Sequence, residues 1–343
     1  MKIALDAMGG DYAPRAAVEG AVQASEELNI EIYLVGVEDL IKKEFDKCKK
    51  RNAKITIIDA PEVIKMGENI FSFRKKKKSS IRIGAQLVKK GEADAFVSAG
   101  DTGAVMFISK TILGSLKGVE RPALAILVPT LKGLSLLIDV GANAVCKPRH
   151  LKQFAFMGKA FMESVMGMKN PTIGLMSIGE EESKGNELIK EAYYELKNSP
   201  LNFIGNLEGK DIYKGIADVI VCDGFTGNIA LKVTEGIIEV LFFMMRREIM
   251  QNFFSKIGYL LMKRALKKLK KKIDYTEYGG ALLLGLNGIC IVGHGRSNSY
   301  AIKNAIRMAR EFVKNKVQER IKLELLNMDK YLLQDWRIVG EKP

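Results

Sequence analysis

The sequence predicts an α/β fold: a three-layer α/β/α sandwich with a mostly parallel, doubly wound sheet and a protruding amphipathic helix pair. Three observations support this prediction. Apolar, β-branched runs alternate with helical patterns throughout the 343 residues, as in doubly wound sheets. Polar turns that contain glycine follow several of these runs. One strand–turn–helix junction occurs twice, because residues 91–104 reappear as residues 215–228 with seven of fourteen aligned positions identical.

Each copy of this repeat contains a short apolar strand, a G-x-T-G turn and the start of an apolar-periodic helix. At the carboxyl end of a parallel strand, glycines let the backbone approach a ligand and helix amides point towards it. The two copies therefore predict two halves of one anion-binding cleft. The alternative is that glycine occurs at both junctions for conformational reasons alone.

Ten runs predict strands, and four of the intervening patterns predict regular helices. The strands are residues 2–5, 31–35, 54–58, 95–98, 123–129, 134–139, 172–177, 203–205, 218–222 and 288–292. The helices are residues 15–28, 81–90, 151–166 and 185–197. No linker rich in proline or serine divides the chain, so we expect a single domain over residues 1–343.

The segment 235–272 departs from this alternation and predicts two helices that meet near residues 255–258. Its apolar side chains are bulky and dense, and charged residues interrupt them. Such a helical hairpin lies on a membrane interface or packs on a second subunit, and the two interpretations are compatible. The residues expected to make this membrane or dimer contact are Phe253, Phe254, Ile257, Leu260 and Leu261.

Composition predicts a cytoplasmic protein. Hydrophobic residues make up 47% of the chain and charged residues 27%, which is ordinary for a globular protein. The amino terminus lacks the features of a signal peptide, and no uncharged apolar run approaches the ~20 residues that span a bilayer. The four cysteines are scattered without a C-x-x-C motif, so neither a disulfide framework nor a zinc site is predicted.

The formal net charge of +14 is concentrated in two basic blocks, residues 74–78 and residues 263–272. Such blocks are either a solvated face or a surface for an acidic partner, which could be a protein, an anionic membrane or a nucleic acid. Few aromatic residues are interleaved with the lysines, so the pattern disfavours nucleic acid.

Several kinds of catalytic site are absent from the sequence. The two histidines, His150 and His294, are far apart, and no G-x-S-x-G, G-x-G-x-x-G or G-x-x-x-x-G-K-[ST] motif is present. We therefore expect no metal, no cofactor and no covalent nucleophile. What remains is six polar turns at predicted strand ends, expected to line one cleft at one edge of the sheet: residues 6–11, 98–103, 139–143, 177–186, 223–228 and 293–297.

In order and spacing these motifs resemble the phosphate acyltransferase (PlsX) family over essentially the whole chain. The resemblance rests on DAMGGD at residues 6–11, SAGDTGA at 98–104, DVGAN at 139–143, EESKGN at 181–186, GNLEG at 205–209, CDGFTGN at 222–228, GGA at 279–281 and HG at 294–295. That family makes acyl phosphate from acyl–acyl carrier protein and inorganic phosphate.

The resemblance implies a fold related to phosphotransacetylases and isocitrate-type dehydrogenases, a homodimer, and peripheral attachment to the inner face of the cell membrane. It also implies that the product serves a membrane glycerol-3-phosphate acyltransferase in bacterial phospholipid synthesis. Acyl carrier protein is acidic, which gives the basic blocks a partner.

The implied mechanism has few parts. Phosphate is already an anionic nucleophile, and the leaving thiol has a pKa near ~8.5 by analogy with cysteine, so little acid or base assistance is needed. We expect Lys184 to neutralise phosphate or the developing oxyanion, and Asn186 and Asn228 to donate amide hydrogen bonds. The residues expected to bind phosphate or substrate are Gly9, Gly10, Asp11, Ser80, Asp101, Thr102, Gly103, Asp139, Asn143, Thr226, Gly227 and His294.

Simpler interpretations exist for several of these residues: Lys184 as a surface lysine, Asn143 and Asn228 as helix caps, Ser79 or Ser80 as the cap of the helix at residue 81, and His294 as a structural residue. The chain also departs from the family pattern, which has asparagine at the position of Asp101. An ionised carboxylate there would repel phosphate, so either Asp101 points elsewhere or the affinity for phosphate is altered.

Three rival functions remain. A phosphotransacetylase-like enzyme would prefer free coenzyme A thioesters to carrier protein. An isocitrate-type dehydrogenase is disfavoured because no helix carries a cluster of metal-binding aspartates. A non-enzymatic membrane or nucleic-acid adaptor would leave the glycine-containing turns without a purpose.

Overall fold

The structure is a computed structural model that describes residues 1–48, 52–273 and 275–339. The end of the predicted domain, residues 340–343, lies outside the described residues. The strands are β1 (Lys2–Asp6), β2 (Glu31–Gly36), β3 (Lys54–Asp59), β4 (Ala95–Ser98), β5 (Ala123–Thr130), β6 (Gly133–Ile138), β7 (Ile173–Met176), β8 (Phe203–Leu207), β9 (Val219–Val221), β10 (Ala281–Leu284) and β11 (Ile289–Val292). All ten predicted strands are present, and β10 is an addition.

The helices are α1 (Arg15–Leu28), α2 (Glu38–Phe45), α3 (Ile70–Lys75), α4 (Ser80–Lys89), α5 (Thr102–Leu113), α6 (Pro148–Met166), α7 (Glu187–Lys197), α8 (Gly224–Gln251), α9 (Phe253–Ile273), α10 (Ser299–Lys314) and α11 (Val317–Val339). The four predicted regular helices correspond to α1, α4, α6 and α7, with boundaries shifted by three residues or fewer.

The strands form one sheet in the order β3-β2-β1-β4-β11-β10-β5-β6-β9-β7-β8. Helices cover both faces because successive strand side chains point to opposite sides. In β1, Ile3 and Leu5 pack in one core with residues of α1, α6 and α10, whereas Ala4 packs in a second core with residues of α4 and α5. The predicted three-layer α/β/α sandwich is confirmed.

The sheet changes direction near its middle. Strands β1 to β4 and β11 are parallel to one another. Strand β10 pairs antiparallel with both β11 and β5, and β6 pairs antiparallel with β5. Strands β6, β7, β8 and β9 therefore run opposite to β1 through β4.

The predicted helix pair is present as α8 and α9, but it begins and divides at other residues than expected. Helix α8 starts at Gly224, and the break falls at Asn252, whose side chain accepts a hydrogen bond from the Ser255 amide at 3.0 Å. Asparagine is a preferred N-cap, so it divides the pair, and Gly258 stays within α9. Over the described residues, no helix combines the length and apolar character needed to cross a membrane.

Candidate active site

The polar turns lie at two opposite edges of the sheet, because its two halves run in opposite directions. We call residues 6–11, 98–103 and 293–297, which follow β1, β4 and β11, the first turn cluster. Residues 139–143, 177–186 and 223–228, which follow β6, β7 and β9, form the second turn cluster. The prediction that all six turns share one edge is wrong. It required the six strands before these turns to run in the same direction, and antiparallel pairing in the middle of the sheet reverses the second half.

Helix α8 connects the two clusters. It begins at Gly224 in the second cluster, and the Glu239 carboxylate accepts a hydrogen bond from Arg296 Nη1 of the first cluster at 3.2 Å. At 1.5 Å per residue, roughly 22 Å of helix separates Gly224 from Glu239. A ligand of the size of a phosphate ion can therefore contact only one cluster, and only an extended ligand lying along α8 would meet both.

Asp6 organises the first turn cluster. Its buried carboxylate accepts hydrogen bonds from Ser98 Oγ at 2.7 Å and from the Met8 amide at 3.0 Å. Burial raises the pKa of Asp6, and hydrogen bonds from Ser80 and Ser98 oppose that rise. Ser80, which was predicted to contact substrate, is itself buried and supports the turn through its hydrogen bond to Asp6. Ser79 occupies the N-cap position of α4 without a capping side-chain bond.

Close backbone packing joins the three turns of the first cluster. A Cβ atom on Gly9 would come within 2.5 Å of the Gly100 nitrogen. Gly10 has a φ of +96°, and a Cβ there would lie 3.0 Å from the Gly295 carbonyl oxygen. The Asp11 amide donates to that same carbonyl at 2.7 Å. The structure therefore brings the predicted residues Gly9, Gly10 and Asp11 together.

The first turn of α5 presents two backbone N–H groups at this cluster. Thr102 and Gly103 are exposed, and neither amide has a partner within the described part of the chain. Asp101 caps the helix, because its Oδ1 accepts from the Ala104 amide at 2.9 Å and its Oδ2 from the Gly67 amide at 3.1 Å. The carboxylate thus points back to its own helix and to a neighbouring loop, while its charge stays close to the free amides.

His294 lies in the third turn of the first cluster. Its Nδ1 accepts a hydrogen bond from the Arg296 amide at 3.1 Å, so the proton of the neutral ring is on Nε2. Burial lowers the pKa of His294, although Glu235 opposes this effect. Lys232 and Arg296 lower the pKa further, and Asp11 raises it. The ring is therefore neutral at pH 7, with its proton on Nε2.

Asp139 plays the corresponding part in the second turn cluster. Its fully buried carboxylate accepts five hydrogen bonds. The donors are the backbone amides of Leu124, Gly141, Ala142 and Asn143, and Nδ2 of Asn143. Burial raises the pKa of Asp139, and these bonds oppose the rise. Asn143 is also buried and donates to the Pro122 carbonyl at 2.8 Å. In this conformation neither predicted residue faces a substrate; both hold the turn.

The predicted amide donors of the second copy are already occupied. Asp223 caps α8, accepting from the Thr226 amide at 2.9 Å and from its hydroxyl at 2.7 Å. The Gly227 amide donates to the Asp223 carbonyl at 3.0 Å. The expectation that the Thr226 and Gly227 amides hold phosphate is therefore not met in this conformation, since each has a partner within the helix cap.

The three predicted catalytic side chains lie at the surface of the second cluster. Lys184 is exposed and makes no ion pair with any described residue. Asn186 caps α7 through Oδ1, which accepts from the Ile189 amide at 3.0 Å, so its Nδ2 remains as a donor. Asn228 lies within α8 rather than capping it, 3.7 Å from the place of a Cβ on Gly141. No described contact joins Lys184 to Asn228.

Three of the cysteine thiols are poor nucleophiles. Burial raises the pKa of Cys146 and of Cys290 to about 12. Burial also raises the pKa of Cys222 well above its ordinary value, and its thiol donates to the Asp139 carbonyl at 3.2 Å. Because the thiolate is the reactive form, these raised pKa values favour acyl transfer without a cysteinyl intermediate.

One group of carboxylates among the described residues could hold a metal ion: Glu180, Glu208 and Asp211. Lys210 already pairs with Glu208, and Lys214 with Asp211 at 2.7 Å. These lysines compensate the carboxylate charge. That the reaction needs no metal stays a prediction.

The sequence analysis did not single out two residues of the first cluster, Asp6 and Arg296. The signal for Asp6 was present, because an aspartate directly after an apolar strand and before two glycines is placed to bind turn amides. Arg296 is a cation within a G-H-G-R-S turn, and its contact with α8 depends on tertiary packing that the local pattern does not contain.

The chain resembles known proteins in sequence over most of its length. A family model described as "Fatty acid synthesis protein" matches residues 1–320. A phosphate acyltransferase of Thermodesulfovibrio yellowstonii is 53% identical over 321 residues, covering 94% of this chain and 93% of the relative. A phosphate acyltransferase of Dictyoglomus turgidum is 51% identical over 330 residues, covering 95% and 98%.

Solved structures share the fold at much lower identity. A phosphotransacetylase from Streptococcus pyogenes has a TM-score of 0.62 at 20% identity and covers 92% of this chain and 94% of its own. A branched-chain phosphotransacylase from Enterococcus faecalis V583 has a TM-score of 0.56 at 13% identity, with 91% and 99% covered. The expected relation to phosphotransacetylases is confirmed at the level of the fold.

Proposed function

This chain belongs to the phosphate acyltransferase family and is an acyltransferase of fatty acid and phospholipid synthesis, and we propose that it converts acyl–acyl carrier protein and inorganic phosphate to acyl phosphate and free carrier protein. In this reaction a phosphate oxygen attacks the thioester carbonyl carbon. The C–S bond then breaks, and the sulfur leaves with the electron pair and takes up a proton. The acyl phosphate forms without an acylated enzyme.

We propose that phosphate binds at the first turn cluster. The observation that supports this is the pair of free amides at Thr102 and Gly103, at the start of a twelve-residue helix. Unsatisfied N–H groups and the positive end of the helix dipole favour an anion there.

The second turn cluster is the alternative phosphate position, because it has an exposed cation. Lys184 has no ion-pair partner among the residues described, and its ammonium would neutralise phosphate or the oxyanion. Asn186 Nδ2 and the exposed amide of Asn228 would donate hydrogen bonds to the same group. In this arrangement the three side chains act on charge that develops at the carbonyl oxygen.

The deciding experiment measures thiol release from palmitoyl–acyl carrier protein with and without phosphate, with hydroxylamine to trap acyl phosphate. Phosphate-dependent release with trapped product is the expected result. Release indifferent to phosphate would contradict the proposed reaction. Faster release from palmitoyl–coenzyme A than from the carrier protein would favour the phosphotransacetylase-like alternative.

The position of phosphate is tested by removing one amide. Thr102→Pro deletes the N–H at the first helical position, where proline is tolerated, and Asp101 already has the extended ψ of 121° that a following proline prefers. We expect kcat/KM for phosphate to fall by about 10- to 100-fold, since a hydrogen bond to a charged group is lost. Thr102→Ser, which retains the amide, is the matched control.

Variants of the second turn cluster test the alternative phosphate position. If Lys184→Ala and Asn228→Ala each retain more than about a tenth of wild-type turnover, those side chains are not the oxyanion donors, because losing such a donor typically costs ~10²–10³ in rate. If instead they lose activity and Thr102→Pro does not, phosphate binds at the second cluster.

The helix pair is proposed to bring the enzyme to the inner face of the cell membrane, where a membrane glycerol-3-phosphate acyltransferase would take the acyl phosphate. Its apolar side chains are open to solvent: Phe253 is 71%, Phe254 82% and Leu261 81% exposed. Such a surface suits an anionic lipid interface or the dimer contact of a homodimer. Phe253→Ser with Phe254→Ser is expected to abolish binding to anionic liposomes. Unchanged liposome binding together with a monomeric variant would assign the surface to the dimer.

A further inference from the structure

Helices α3, α4 and α5, which cover part of one face of the sheet, have a one-sided charge. Helices α3, α4 and α5 contain no aspartate or glutamate. Segment 69–91, which includes α3 and α4, has eight lysines and arginines and no carboxylate. An acidic macromolecule would therefore be attracted to the face formed by α3, α4 and α5.

A cluster of cations lies at the end of α3, directly before α4. Lys76 is engaged internally, with Glu68 and the Val63 carbonyl each 2.6 Å away. Lys75 and Lys77 are exposed and form no ion pair with described residues. The Arg74 guanidinium lies 5.6 Å from the centre of the Phe107 ring, which joins α3 to α5.

This region adjoins the first turn cluster. A Cβ added to Gly295 would lie 3.0 Å from Met66 Cε, and the Gly67 amide bonds to the carboxylate of Asp101. Phe71 is 72% exposed beside the cations. We call Phe71, Arg74, Lys75, Lys77 and Lys78 the basic patch.

We propose that the basic patch is the docking surface of the acidic carrier protein. The inference rests on the proposed function, because it names where the protein that carries the acyl thioester binds. Charge complementarity supports it, since four cations face solvent with no carboxylate in the segment. Phe71 supplies an aromatic anchor of the kind that concentrates binding energy at interfaces. A carrier protein bound here would lie next to the loop whose Gly67 amide bonds to Asp101, the residue directly before the free amides of α5.

The composition of the basic patch distinguishes a protein partner from a lipid surface. Binding at a membrane interface depends on buried apolar area. The helix pair exposes many large apolar side chains, whereas the basic patch has Phe71 alone. This difference favours a lipid interface for the helix pair, which includes residues 263–272, and an acidic protein for the basic patch.

The test is a charge reversal, Lys75→Glu with Lys77→Glu, in the full-length enzyme. Lys89→Glu with Lys90→Glu is the matched control, since these lysines end α4 at the opposite edge of the sheet. We expect KM for palmitoyl–acyl carrier protein to rise at least about tenfold in the test variant and to change less than about twofold in the control. Turnover of palmitoyl-pantetheine, which has no carrier protein, should be the same in all three proteins.

Titration with carrier protein lacking an acyl group gives a second measurement that does not need the reaction. Wild-type binding that weakens with added salt and is lost in the test variant would support the docking surface even if phosphate-dependent release fails. Equal binding by wild type and test variant would overturn it. Loss of anionic vesicle binding in the test variant, with carrier-protein KM unchanged, would also overturn it and assign the basic patch to lipid.

Discussion

The two copies of the repeat share seven of fourteen residues, yet their helices begin at different positions of the repeat. Helix α5 starts directly after Asp101, and α8 starts directly after Asp223. In the alignment Asp101 corresponds to Phe225, and Asp223 corresponds to Ala99. The second helix therefore begins two positions earlier, because its capping aspartate lies two positions earlier.

This shift changes what the shared T-G pair does. In the first copy Thr102 and Gly103 are the first two helical residues and their amides are free, as the first N–H groups of a helix are. In the second copy Thr226 and Gly227 lie deeper in the helix and their amides are bonded to Asp223. Identical residues thus give an anion-binding helix start in one copy and a packed helix turn in the other.

The largest difference is expected for alanine at the last glycine of each copy, Gly103 or Gly227. A Cβ on Gly227 would overlap the Asp139 carbonyl oxygen and come within 2.8 Å of Cys222 Sγ, whereas a Cβ on Gly103 would meet only Asp101 Oδ1 at 3.2 Å. Gly227→Ala should lower the free energy of unfolding by roughly 3 kcal/mol or more. Gly103→Ala should change it by about 1 kcal/mol or less.

Urea denaturation of both variants beside wild type measures this difference. Equal losses in the two variants would mean that the copies are packed alike, contrary to the structure. Insoluble Gly227→Ala protein with well-folded Gly103→Ala protein is the extreme form of the expected result.

An intermediate effect is expected from neutralising the two capping aspartates. Asp101→Asn keeps a cap oxygen for the Ala104 amide and removes a negative charge beside the free amides of the first copy. KM for phosphate should fall by about three- to tenfold. Asp223→Asn makes the matched change in the second copy, where the amides are occupied, and KM for phosphate should stay within about twofold.

Initial rates at several phosphate concentrations decide between the clusters. A fall in KM for Asp223→Asn, with none for Asp101→Asn, would move the phosphate site to the second cluster.

The smallest effect is expected in the pH dependence of the free energy of unfolding. It arises from the two histidines, one near each cluster. Neutral His150 accepts the Lys147 amide at Nδ1 and lies 3.1 Å from Glu120 through Nε2. Burial lowers the pKa of His150 from 6.5, although Glu120 opposes it, and burial lowers the pKa of His294 likewise. The unfolded chain therefore binds more protons as pH falls below about 6.5, and the stability present at higher pH is lost.

Imidazole NMR signals of wild type and His150→Gln assign the two titrations, and both should occur below pH 6.5. Unfolding free energy should decline from about pH 7.5 to about pH 5.5 more steeply in wild type than in His150→Gln. A histidine that titrates above 6.5 would show that its ring is stabilised as a cation, contrary to the packing.

Much of the fold followed from local patterns. The ten predicted strands and helix α1 were recognisable because their apolar periodicity agrees with their burial. Strand β10 was missed because its short apolar run follows two glycines and has no pattern of its own. The break was predicted near residues 255–258 but falls at Asn252, because this asparagine caps the second helix and so sets the boundary.

The candidate site was predictable in residue type and only partly in geometry. The turns that contain Gly9, Gly10 and Thr102 do meet at one edge of the sheet. Asp139 and Asn143 were expected to face substrate but are buried, because a carboxylate at a strand end bonds first to the amides of its own turn.

By itself the sequence determined the α/β class, the positions of the strands, the family and the residue types of the turns, because each of these depends on short-range pattern. Tertiary structure alone decided which turns share an edge, since β10, which is distant in sequence from β5, pairs antiparallel with both β11 and β5 and so sets the direction of the second half of the sheet. It also decided which amides remain free. That depends on which aspartate caps each helix and on what packs against it, and the copies of the repeat differ in both.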